Sequence, residues 1–202
     1  VVQPGVEFGD DFVLDYEPAK AAGLARFIES QPNLIYEAHS TDYQTRAALK
    51  NLVRDGFAIL KVGPALTFAF REGVFALARI ENELLPEADR SGIVAVLEAA
   101  MLRNPAHWQK HYHGSPAQQA FARQYSLSDR IRYYWPDPRV QAALQKLLKN
   151  LGQKPLPFSL LSQFAPLAYA QIRAGRLRNS PQSILLERVT SVLDDYPSNE
   201  LP

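Results

Sequence analysis

Three short apolar runs constrain this chain more than anything else in it, because each passes into a loop and then a helix-period stretch. Val1-Val2 passes into Gln3-Pro4-Gly5, Leu34-Ile35-Tyr36 into Glu37-Ala38-His39, and Phe57 to Val62 into Gly63-Pro64. Pro-Gly and Gly-Pro mark turns. The first loop extends to about Tyr16; Glu17-Pro18 then opens a helix with Ala21, Leu24, Ala25, Phe27 and Ile28 at helical spacing, closed by Gln31-Pro32-Asn33. After the second run, Ser40-Thr41-Asp42 offers N-cap residues to a helix carrying Ala47, Ala48, Leu49, Leu52 and Val53, stopped at Asp55-Gly56. A longer helix is predicted from about Ala65 to Leu85. Strands and helices alternating at this spacing imply right-handed crossovers in a parallel sheet.

From Pro86 onward the pattern changes. Helical periodicity recurs around Ile93–Leu102, Ala117–Gln124, Ser128–Trp135, Val140–Leu151, Ala165–Ala174 and Ser183–Tyr196, punctuated by prolines, with no evident strand. Three parallel strands cannot close a barrel alone. The expected fold class is therefore α/β: the C-terminal part of a TIM (β/α)8 barrel followed by a mostly helical C-terminal extension. Residues 1–86 are expected to supply the last β/α units, and residues 87–202 a helical region packed on the barrel. The opening Val1-Val2, with no initiator Met before it, is taken as the end of a strand in a longer protein.

Composition excludes several classes. Lys and Arg number 22 against 21 Asp and Glu, too even for a nucleic-acid binder with a basic face. There is no cysteine, which removes disulfides and thiolate metal sites and fits the cytoplasm. No apolar run approaches the roughly 20 residues that span a bilayer, and the first residues lack the basic n-region and apolar core of a signal peptide. No phosphate-binding loop, Gly-rich dinucleotide fingerprint or kinase motif set occurs, so nucleotide-dependent phosphoryl transfer lacks support.

Candidate chemistry lies where strands end. Alternation places Ile35, Glu37 and His39 on one side of their strand, with Tyr36 and Ala38 on the other, and puts Phe57, Ile59 and Lys61 together on the next. Glu37, His39 and Lys61 would then meet at a barrel mouth. They could serve as base and polarising partner at a sugar carbon, or Lys61 could form a Schiff base. They could equally be a Glu37–Lys61 ion pair with a hydrogen-bonded His39. Gly63, Ala65 and Thr67 start a long helix whose amides and dipole favour an anion, such as a sugar phosphate; Gly-Pro could also simply begin the helix. Glu7 occupies the matching position after the first strand, facing either the same mouth or solvent. His107 and His111 are spaced for zinc on a helix face, but lack further ligands and are taken as surface residues. In Ser126–Pro136 the aromatics are assigned to the core, while Arg130 and Arg132 are candidates for a partner surface.

VVQPGVEF (Val1–Phe8), YEAHSTDYQT (Tyr36–Thr45), FAILKVGPALTFAFRE (Phe57–Glu72) and YSLSDRIRYYWP (Tyr125–Pro136) closely resemble the non-catalytic Z subunit family of D-tagatose-1,6-bisphosphate aldolase. Members have also been labelled tagatose-6-phosphate kinase. The family is longer than this chain, so the resemblance implies a C-terminal half, and a TIM-barrel fold related to zinc-dependent class II aldolases. It implies an accessory role, supporting the stability and full activity of a separate catalytic Y subunit in galactitol and N-acetylgalactosamine breakdown. That partner carries the zinc and cleaves tagatose 1,6-bisphosphate to glycerone phosphate and glyceraldehyde 3-phosphate; no cofactor is expected in this chain. The resemblance establishes no catalytic residues, so Glu37, His39 and Lys61 rest on position alone. The alternatives are a sugar-phosphate enzyme in its own right, of aldolase or isomerase type, and a tagatose-6-phosphate kinase.

Overall fold

The computed structural model describes residues 1–197. It is a mixed α/β chain in which helix dominates. A β-hairpin, β1 (Glu7–Phe8) with β2 (Val13–Leu14), precedes α1 (Pro18–Glu29), β3 (Glu37–Ala38), α2 (Arg46–Arg54), β4 (Ile59–Leu60) and α3 (Pro64–Leu84). Then follow α4 (Ile93–Arg103), α5 (Pro116–Tyr125), α6 (Pro138–Leu151), α7 (Phe158–Phe164), α8 (Pro166–Arg173) and α9 (Pro181–Leu193), with 3₁₀ turns at Glu87–Asp89, Pro105–His107 and Arg130–Tyr133. Proline opens α1, α3, α5, α6, α8 and α9, where a missing N–H costs no helical hydrogen bond.

Two compact units result. One comprises Val1–Leu66, Ser126–Ser128 and the stretch beginning at Ser191; the other comprises Thr67–Tyr125 and Asp129–Thr190. The division falls inside α3, where Val74, Leu77 and Ile80 are fully buried in the core of the second unit.

The first unit is built on the parallel strands. Val2 bridges to Ala38, and β3 pairs with β4 in the register Glu37↔Ile59 and Ala38↔Leu60. The paired segments are shorter than the apolar runs and displaced along them: Leu34 and Ile35 are exposed and precede β3. Paired residues share a face, so Val2, Ala38 and Leu60 point one way with Tyr36. That face packs on Ala21 and Leu24 of α1 and on Ala48, Leu49 and Leu52 of α2. Phe57 belongs here too, stacked on Tyr36 at 5.3 Å. It does not share the side of Ile59 and Lys61, because it lies in the unpaired stretch between the Asp55-Gly56 turn and β4, outside the strand's alternation. The opposite face carries Ile35 and Ile59, 65% and 46% exposed. One side of this sheet is covered and the other bare.

The second unit is helical, around Leu77, Ile80, Ile93, Leu97, Met101 and Leu147. Gly73 of α3 lies so close to α9 that a Cβ there would stand 2.8 Å from Leu185 Cδ2. A cavity of about 240 Å³ in this unit is lined by Ala76, Phe164, Leu167 and Ile184, with the Glu72–Arg188 ion pair at its edge.

Candidate functional site

The register that pairs Glu37 with Ile59 continues to place His39 beside Lys61 on the bare face. His39 Nε2 lies 3.4 Å from Lys61 Nζ and 3.7 Å from Glu37 Oε1. The three predicted residues therefore come together, though not as a direct Glu37–Lys61 ion pair: the imidazole links them. Both contacts use one ring nitrogen, so its protonation selects the partner. A bare Nε2 accepts from the Lys61 ammonium; a protonated Nε2 meets the Glu37 carboxylate as a charge contact, beyond hydrogen-bond reach. His39 and Glu37 side chains are 40% and 34% exposed, so solvent reaches the group. Chemically it can pass a proton between an acid and a base.

The loop after β3 is held under strain. Ser40 and Tyr43 adopt left-handed φ of 56° and 62°, unusual for residues with a Cβ. Packing enforces this. Thr41, fully buried, donates from Oγ1 to the Lys61 carbonyl at 2.8 Å, and its own carbonyl accepts from Tyr196 Oη at 2.9 Å. Burial pushes the Tyr196 phenol up to about 12. The Tyr43 hydroxyl donates to the Leu127 carbonyl at 2.6 Å, with its ring edge-on to Phe8.

Asp42 does not play the part expected of it. It does not cap α2; Thr45 does, accepting from Ala48 N at 3.2 Å. Instead the buried Asp42 Oδ1 accepts from the amides of Gly63 and Ala65, each at 2.8 Å. Two of the amides expected for a phosphate, those of Gly63 and Ala65, thus donate to the chain's own carboxyl group. Thr67, the third residue of that set, donates from Oγ1 to Asp129 Oδ2. This role for Asp42 has no local sequence signal, since its partners lie 21 and 23 residues away.

The remaining candidates resolve individually. Glu7 is exposed on the hairpin and accepts from Gln3 Nε2 at 3.1 Å. His107 stacks on Tyr133, ring centroids 4.9 Å apart. Among the described residues no group of three or more His, Cys, Asp or Glu could hold a metal ion. No described helix is long and apolar enough to cross a membrane. The expected helix from Ser128 is instead a 3₁₀ turn at Arg130–Tyr133 entered through Asp129 at φ 46°. Arg130 and Arg132 are partly buried against Tyr133, their guanidinium carbons 5.9 and 4.6 Å from the ring centroid. Asp129, missed from sequence, is buried with Arg71 Nε 3.4 Å from its Oδ1; burial raises its carboxyl above the usual range, against the lowering by Thr67 and Arg71.

Among solved structures, the chain is similar to the crystal structure of a probable tagatose 6 phosphate kinase from Sinorhizobium meliloti 1021, with TM-score 0.93 and 46% sequence identity. That match covers 96% of this chain and 50% of the other, so the chain spans about half the length of the protein it resembles. A family model described as D-tagatose-1,6-bisphosphate aldolase subunit GatZ/KbaZ-like matches residues 1–200. With almost the whole length matched, the chain belongs to the D-tagatose-1,6-bisphosphate aldolase subunit GatZ/KbaZ-like family.

Proposed function

We propose that the chain is the C-terminal half of a TIM-barrel accessory subunit, with residues 1–86 as its last β/α units and residues 87–202 as a helical extension. The subunit acts in the cytoplasm, in breakdown of galactitol and N-acetylgalactosamine. It binds the zinc-dependent catalytic subunit of tagatose-1,6-bisphosphate aldolase, supports its stability and full activity, and needs no cofactor of its own. The family match names an aldolase subunit. The barrel reading draws on a parallel sheet with helices on one face and, on the other, a bare face that carries Ile35 and Ile59 beside Glu37, His39 and Lys61, as in the half-built state of a closed cylinder.

The observation that carries the non-catalytic role is Asp42. Its carboxylate occupies the helix-start amides that a sugar phosphate would use. With these two amides taken, a phosphate group would have to be held elsewhere. The test is co-purification of the intact protein with the catalytic subunit. A complex at micromolar concentration that lengthens the half-life of aldolase activity supports the proposal; no complex at that concentration overturns it.

One observation favours a second reading, a sugar-phosphate enzyme of aldolase or isomerase type: the Glu37–His39–Lys61 group is reachable by solvent and able to move a proton. Under it, Glu37→Gln, His39→Asn and Lys61→Met each abolish turnover of a phosphorylated ketose while leaving the melting temperature unchanged. Loss of stability without any turnover in the parent protein returns the group to a structural role. A kinase, the word used for the solved relative, would require a thermal shift with Mg-ATP.

A further inference from the structure

In the helical unit the unanswered buried polar atoms gather in one neighbourhood. Arg71 Nε and Asp129 Oδ1 answer each other as an ion pair. That leaves two buried N–H donors with no acceptor among the described residues, Arg130 Nε and Trp135 Nε1. Both lie on the segment entered through the left-handed Asp129. Buried donors are normally satisfied, so each marks a side chain that this segment leaves short of an acceptor.

The surroundings define that acceptor. Arg130 Nε has no acceptor among the described residues, and the guanidinium lies over the Tyr133 ring. The Arg132 guanidinium lies over the same ring and donates to the Tyr133 hydroxyl at 3.0 Å and the Asp129 carbonyl at 3.2 Å. His107 stacks on it with the planes 22° apart. Tyr133 remains 43% exposed. Two guanidinium groups and an imidazole therefore surround one exposed aromatic ring. A purely apolar partner would cover the rest of the Arg130 guanidinium without pairing its charge, and a bare anion would leave the ring wet. A carboxylate presented by a protein surface answers both requirements, and Arg with Tyr is the composition of interface centres.

We infer that Arg130, Arg132, Tyr133 and His107 form the docking centre for an acidic segment of the partner protein, with a carboxylate received by Arg130. This rests on the reading of the chain as an accessory subunit, and names the surface and the partner's chemistry.

The test measures affinity of the intact protein for the catalytic subunit at low and high salt. The variants are Arg130→Glu, Arg130→Gln and, as control, Lys146→Glu on exposed surface of α6. Arg130→Glu is expected to weaken binding by about tenfold or more and flatten its salt dependence. Arg130→Gln, which removes the charge without reversing it, should weaken binding at an unchanged melting temperature, and Lys146→Glu should do neither. If the parent protein binds and both Arg130 variants bind equally well, the docking centre is wrong and the accessory role stands. If the parent protein does not bind, both fall. If inorganic phosphate binds through Arg130 while affinity for the subunit is unaffected, the site belongs to a small oxyanion and the docking assignment is overturned.

Discussion

Asp42 shows how much a single buried carboxylate decides. Accepting from Gly63 N and Ala65 N, it closes the start of α3 and ties the loop after β3 to the end of β4. Asp42→Ala leaves two amides without an acceptor, and should lower unfolding free energy by roughly 1–3 kcal/mol. Asp42→Asn keeps an acceptor and should lose less. Urea unfolding checks both, and an unchanged midpoint for the alanine variant rules out the bracing role. Asp129 acts in the opposite sense. Burial raises its carboxyl above its unfolded value, so the native state binds the proton more tightly and the ionised form costs stability. This contribution favours folding below the ordinary carboxylate range and is lost as pH rises through the native value. Comparing Asp129→Asn with the parent by urea unfolding from pH 4 to 7 should show that downward component missing in the variant; parallel profiles would disprove it.

Among the elements, those with strong punctuation were legible and those held by distant contacts were not. Pro18, Pro64, Pro138 and Pro181 open helices in the structure, as the locked φ of proline favours. The hairpin of β1 and β2 went unforeseen, because two-residue strands are too short for alternation to register. Helix α7, seven residues long, likewise spans too few turns to show a period. Gly56 links the end of α2 to β4 at φ +92°, and a Cβ there would meet Ile28 Cγ2 at 2.5 Å. Gly56→Ala should therefore combine backbone strain with a clash against α1, costing about 1–3 kcal/mol. A melting temperature equal to the parent's would show that the turn relaxes freely.

At the level of the molecule, the bare face of the parallel sheet is the feature that asks for more structure. Ile35 and Ile59 stand exposed beside Glu37, His39 and Lys61. If further strands close a barrel over that face in the intact protein, replacing both isoleucines by Asp buries two unpaired carboxylates and should abolish folding, seen as loss of the cooperative thermal transition. Retention of a normal transition would place the face in water and remove the barrel.

The parallel order of the strands, the pairing of the opening valines alongside them, and the meeting of Glu37 with His39 and Lys61 followed from the chain, because a period of two and a short crossover leave little choice once one face is apolar. Tertiary structure alone decided where the polar groups found partners. His39 stands between Glu37 and Lys61, Asp42 fills the amides expected for phosphate, and Asp129 turns inward to Arg71. Hydrophobic patterning is written in spacing along the backbone. A buried carboxylate settles on whichever donor the folded chain delivers to within about 3 Å, and that pairing leaves no mark on neighbouring residues.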